Sequence, residues 1–185
     1  MKTSKQQSPE LITIQWFNTE SPITLEDLRG RVIIIKAFQM LCPGCVSHAI
    51  PQAQKIQQVF SADDVAVIGL HTVFEHHEAM TPTSLEAFLH EYRVTFPVGV
   101  DTPSQDATTP QTMALYGMRG TPTTILIDRQ GRLRKHAFGQ EHDLALGAEI
   151  MSLIQEKQVS KKMVSTSSAS HASTSGCTED GCIAD

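Results

Sequence analysis

Residues 31–45 read Arg-Val-Ile-Ile-Ile-Lys-Ala-Phe-Gln-Met-Leu-Cys-Pro-Gly-Cys, and the fold turns on them. Residues 31–38 are nearly all apolar and β-branched, the composition of a strand buried on both faces. After Cys45 come Val46, Ala49, Ile50, Ala53, Ile56 and Val59, an apolar stripe at helical spacing that runs to about Phe60. Cys42 and Cys45 therefore sit at a strand-to-helix turn, on the first turn of the helix. Two residues three apart share a helix face there, close enough to close a small disulfide ring. A helix N-terminus stabilises negative charge, which favours the thiolate of the first cysteine. The pair reads as a reversible dithiol, and the chemistry it implies is thiol–disulfide exchange.

The flanking sequence supplies the remaining elements. Residues 10–16 alternate as an entering strand, and residues 25–30 form a short helical turn ending at Gly30. Residues 64–71 are a second apolar strand. Thr83-x-x-Glu86 has the pattern of a capping box and predicts a helix through Tyr92. Residues 96–101 are a short strand, and Thr109-Pro110 opens a brief helix to Tyr116. Residues 122–128 are another strand, which Asp128-Arg-Gln-Gly131 folds back into 132–138 as a hairpin. A last helix is expected from about Asp143 to residue 157. Strands alternating with helices, then a closing hairpin, indicate an α/β domain with a central mixed sheet covered on both sides.

Length and composition bound the function. A chain of 185 residues with 40% hydrophobic content fits one domain plus a tail. A net charge of -5 argues against nucleic acid or an anionic membrane surface as partner. No apolar run approaches the roughly 18 residues of a membrane helix. The segment Met1-Lys-Thr-Ser-Lys-Gln-Gln-Ser-Pro-Glu10 has no apolar stretch of the secretory kind, which points to the cytoplasm. In that reducing compartment the 4 cysteines are expected to be catalytic or metal-binding rather than staples. The expected organisation is an N-terminal extension over 1–9, a folded domain over 10–157 and a flexible Ser/Thr-rich tail over 158–185 that ends in Cys177-Thr-Glu-Asp-Gly-Cys182.

With the buried strand, Cys42-Pro-Gly-Cys45 and Gly120-Thr-Pro-Thr123 in place, residues 10–157 resemble the thioredoxin-like superfamily. More narrowly they are similar to its thiol–disulfide oxidoreductase and redoxin (AhpC/TSA-like) branch. Leu28-Arg-Gly-Arg-Val32, Tyr116-Gly-Met-Arg-Gly-Thr-Pro-Thr-Thr124 and Ile127-Asp128 with Gly131 add to the likeness. The resemblance implies a cis Thr121–Pro122 peptide packed beside the cysteines, free to hold an extended substrate. It implies protein or small-molecule disulfides as substrates, an upstream thiol reductant and no cofactor. Three departures stand out. Phe38-Gln-Met-Leu41 lacks the tryptophan that usually precedes the first cysteine, the helix proline stands at Pro51, and Lys36 replaces a buried strand acid.

Cys42 is the expected nucleophile and Cys45 the resolving thiol. Lys36, at the end of the strand that delivers the cysteines, and His71, at the carboxyl end of its neighbour, are the candidate acid–base partners. A snorkelling lysine and a hydrogen-bonded loop histidine are the plainer readings of the same two residues. A zinc half-site at Cys42 and Cys45 would need a second close pair of ligands, and the domain has none. Glu75-His-His-Glu78 reads as a solvated loop as readily as a metal cluster. His48 falls on the cysteine face of the helix. Cys177 and Cys182 are open to three readings: an inert tail, a metal-binding module, or a tether that returns to Cys42 and Cys45. The competing enzymatic reading is a peroxiredoxin-like thiol peroxidase with Cys45 as peroxidatic residue. Phe38 and Cys42 stand where that branch has proline and threonine. Oligomeric state has no signature in the sequence.

Overall fold

The computed structural model describes residues 6–105 and 107–156. The expected tail with Cys177 and Cys182 lies outside the described residues.

Six strands form one mixed sheet: β1 (Thr13–Phe17), β2 (Val32–Phe38), β3 (Val65–His71), β4 (Val98–Asp101), β5 (Thr123–Ile127) and β6 (Leu133–Phe138), in the order β1-β4-β3-β2-β5-β6. β2 runs parallel to β3 and β3 to β4, while β1, β5 and β6 join antiparallel. Central strands covered on both faces must be apolar throughout, and every residue of β2 and of β3 is buried. Helices α1 (Ile50–Val59), α2 (Pro82–Glu91) and α4 (Asp143–Gln155) cover one face, packing Ile50, Ala53, Ile56, Leu85, Leu89, Leu146 and Ile150 onto Val32, Ile34, Phe38 and Val67. On the other face Met113, from the short α3 (Gln111–Leu115), joins Leu25, Leu28, Ile33, Ile35 and Ile125.

Three local details differ from expectation. The long helix after the cysteines opens with a π-helical segment, Cys45–Ala49, before α1 begins. The N–H of Ile50 reaches back to the carbonyl of Cys45, and Pro51, next in line, has no N–H to donate. Helix α2 is capped by Thr81, whose hydroxyl accepts from the N–H of Ser84 at 3.2 Å, not by Thr83. Pro82 suits the first helical position, which moves the cap two residues earlier than the capping-box pattern indicates. Residues 7–9 lie on the domain: Gln7 bridges Arg132, and the Tyr116 hydroxyl lies 2.7 Å from that of Ser8 and donates to the Pro9 carbonyl at 2.6 Å.

Candidate active site

Antiparallel pairing of β5 with β2 decides where the site forms. Ala37 stands opposite Thr123, so the residues just before β5 lie beside the carboxyl end of β2. From that end residues 39–41 lead into Cys42. The Thr121–Pro122 peptide, cis, therefore meets the turn that carries Cys42 and Cys45. A Cβ added to Gly44 would stand 3.5 Å from Pro122 Cδ, an ordinary contact between the two loops.

The two thiols, both free, have different environments. Cys42 is partly exposed, and its Sγ donates to the carbonyl of Thr121 at 3.6 Å. Its N–H donates to Gln39 O at 3.2 Å, and its own carbonyl accepts from the N–H groups of Cys45 and Val46 at 3.0 and 3.1 Å. Cys45 is 0% exposed and packs in the core beneath α1. Burial, and then the hydrogen bond with the Cys42 thiol, push the Cys45 thiol up to about 12. One sulfur is thus open to attack and be attacked, and the other is held as a neutral thiol behind it.

Lys36 stands two residues inside the end of β2, not at its end, and is 2% exposed. Its ammonium does not snorkel. It donates to Gln52 Oε1 at 2.5 Å and to Thr124 Oγ1 at 2.7 Å, and neither cysteine is among its partners in the described residues. Burial lowers its pKa to about 8, against an opposing pull from Glu141. Thr124 is the cross-strand partner of Lys36 in the sheet register, which explains why the pair meets.

His71 does end β3, and its ring is buried in the core against Phe38, on the sheet face whose core cluster also holds Cys45. It is 1% exposed and lies against the Phe38 ring, centroids 5.3 Å apart. Alternation puts it on the same sheet face as Val65 and Val67. Neither ring nitrogen has a hydrogen-bond partner among the described residues, and burial lowers its pKa to about 4. His48 bonds through Nε2 to the Glu141 carbonyl at 2.8 Å, joining the π-helical segment to the loop before α4. No group of metal-ligating side chains forms among the described residues, the Glu75–Glu78 run included.

Two glutamines with roles at the site were missed in the sequence. Gln39 accepts from Phe74 N–H at 3.3 Å and donates to Glu75 at 3.2 Å, fastening the loop after β3 to the residue three before Cys42. Gln52 holds Lys36 and also donates to Glu141 O at 2.9 Å and Asp143 Oδ1 at 2.6 Å. A polar residue inside the stripe of Ala49, Ala53 and Ile56 was its signal. Glu141 had none.

The AhpC/TSA family profile matches residues 7–136. The chain belongs to that family. Among solved structures, this AhpC/TSA protein is similar to a thioredoxin-like superfamily protein at 63% identity and a TM-score of 0.79, with 81% of this chain and 97% of the other covered. It is also similar to a thiol-disulfide isomerase from Corynebacterium glutamicum at 49% identity and a TM-score of 0.78, covering 80% and 96%. The fold is thioredoxin-like. NHL repeat-containing protein 2 of Bos taurus is 28% identical over 70% of this chain, which spans only 17% of that relative's length.

Proposed function

We propose that this AhpC/TSA protein is a thiol–disulfide oxidoreductase working through Cys42 and Cys45. The observation that carries the reading is the contrast between a partly exposed Cys42 on the Thr121 carbonyl and a fully buried Cys45 behind it. The Cys42 thiolate attacks a substrate disulfide, forming a mixed disulfide and releasing one substrate thiol. Cys45 gives up its proton and attacks Cys42 Sγ. The Cys42–Cys45 bond forms and the second substrate thiol leaves, so the substrate gains two electrons and the enzyme is oxidised. An upstream dithiol restores the reduced pair. Substrates are protein or small-molecule disulfides.

Family membership favours a second reading, a thiol peroxidase in which Cys45 is the peroxidatic residue. The burial and raised pKa of Cys45 weigh against it, because peroxide reacts with an accessible thiolate.

Insulin reduction and peroxide consumption, followed in wild type, Cys42→Ser and Cys45→Ser, test both readings. Exchange predicts that Cys42→Ser abolishes insulin reduction. Peroxide consumption that survives Cys42→Ser and dies with Cys45→Ser would replace the first reading by the second.

A further inference from the structure

The surface beside Cys42 carries features that disulfide exchange at Cys42 and Cys45 does not use. Arg119, two residues before Thr121, is exposed and stacks its guanidinium over Phe138, 5.2 Å from the ring centroid. It makes no ion pair among the described residues. Phe138 is 48% exposed and sits so close to the cis-proline loop that a Cβ on Gly120 would lie 3.0 Å from its ring. Leu41, immediately before Cys42, is 57% exposed. The rim thus offers one unpaired cation and two apolar side chains. It suits a segment in which a thiol or disulfide is flanked by carboxylates and an aliphatic residue.

The chain itself contains such a segment. Cys177-Thr-Glu-Asp-Gly-Cys182-Ile has two carboxylates between its cysteines and an isoleucine after them. We propose that this segment is an intramolecular exchange partner of Cys42 and Cys45, seated with its carboxylates on Arg119 beside the Thr121–Pro122 peptide. The inference rests on the exchange reading given above.

Chain length permits it. The start of α4 is tied to the helix that opens at the cysteines, through His48 to Glu141 and Gln52 to Asp143. The 13 residues of α4 then carry the chain about 20 Å away. Arg134 holds Glu156 there, with Nη1 2.6 Å from Oε2. Residues 157–176 separate that anchor from Cys177. A random coil of that many residues would span about 25 Å, close to the gap to be crossed. A tether matched to its span raises the local concentration of the second thiol pair to the millimolar range.

The exchange balances without an added oxidant. After the site has reduced a substrate, Cys42–Cys45 is a disulfide. The Cys177 thiolate attacks Cys42 Sγ; the Cys42–Cys177 bond forms and Cys45 leaves as a thiolate that takes up a proton. The Cys182 thiolate then attacks Cys177 Sγ; Cys177–Cys182 forms and Cys42 leaves reduced. Two electrons pass from the tail to the site, and a dithiol reductant afterwards reduces the tail disulfide, becoming a disulfide itself.

The full-length variant Cys45→Ser with Cys182→Ser leaves Cys42 and Cys177 to trap the intermediate, and Cys45→Ala with Cys182→Ser repeats the test with a different buried substitution. On mild oxidation with diamide, a monomer with an internal disulfide is expected, and peptide mapping should join Cys42 to Cys177. Its rate should not change on dilution over about a tenfold range. Arg119→Glu should slow it about threefold, the size of an exposed charge pair. Absence of the cross-link in both backgrounds, or cross-linking only between molecules, overturns the proposal. If Cys42→Ser abolishes insulin reduction and the cross-link is missing, the relay alone fails. If Cys42→Ser leaves it intact, the exchange reading fails and the relay falls with it.

Discussion

The carbonyl of Thr121 accepts the Cys42 thiol at 3.6 Å, joining two residues 79 apart in sequence. The contact brings the cis-proline loop and the Cys42–Cys45 turn together. Behind it Cys45 is covered from solvent, so the two sulfurs differ in access before any substrate arrives.

That difference is measurable without a substrate. With its pKa raised to about 12 by burial, Cys45 stays protonated and unreactive across the neutral and mildly alkaline range. Iodoacetamide at pH 8 should alkylate Cys42 and spare Cys45 in the folded, reduced protein, as read by peptide mass. Both should react in urea. Equal labelling in the folded state would contradict the assigned order of attack.

Gly69 lies where β3 passes under Phe96. A Cβ there would fall 2.9 Å from Val98 Cγ2, 3.0 Å from Phe96 Cε2 and 3.2 Å from Phe38 Cε1. Gly69→Ala should therefore overpack the core and cost about 1–3 kcal/mol in urea unfolding. A stability within experimental error of wild type would show that these rings have room to yield.

His71 makes stability depend on acid. Its folded pKa of about 4 lies below the ordinary value of 6.5. Between those values the unfolded chain binds a proton that the folded chain refuses, so stability falls as pH drops from about 6.5 to 4. The full loss is on the order of 3 kcal/mol. His71→Leu should flatten that part of the urea-midpoint profile relative to wild type. An unchanged slope would place the acid sensitivity elsewhere.

Lys36 acts at the other end of the pH scale. Its folded pKa of about 8 is below the ordinary 10.5. In that window the folded state has shed a proton that the unfolded state retains, so stability rises with pH, by about 3 kcal/mol at most. Lys36→Met should lack this rise when its unfolding is compared with wild type between pH 7 and 10. Identical profiles would mean that the buried ammonium is better solvated than its two hydrogen bonds suggest.

Much of the fold was legible in local pattern. The apolar run at 32–38, the helical stripe after Cys45 and the hairpin turn at Asp128–Gly131 each follow from one segment's own periodicity or turn chemistry. The cysteines and Thr121–Pro122 were legible as motifs. Lys36 and His71 were found as residues, but not the neighbours that surround them. A strand's alternation tells which face a side chain takes, not what waits on that face. The Phe38 ring fills the space around His71, and Gln52 and Thr124 close over Lys36. Gln39 and Glu141 carried no local signal, because their roles depend on loops from distant parts of the chain.

By itself, the sequence determined that a dithiol stands at a helix opening behind a buried strand, since nearest-neighbour spacing suffices for that. Only the tertiary structure decided that Thr121 faces Cys42, that Cys45 is sealed and that Arg119 stands unpaired at the rim. Those facts depend on β5 pairing with β2 in one register. That choice is made by packing between segments far apart in sequence, which no single stretch encodes.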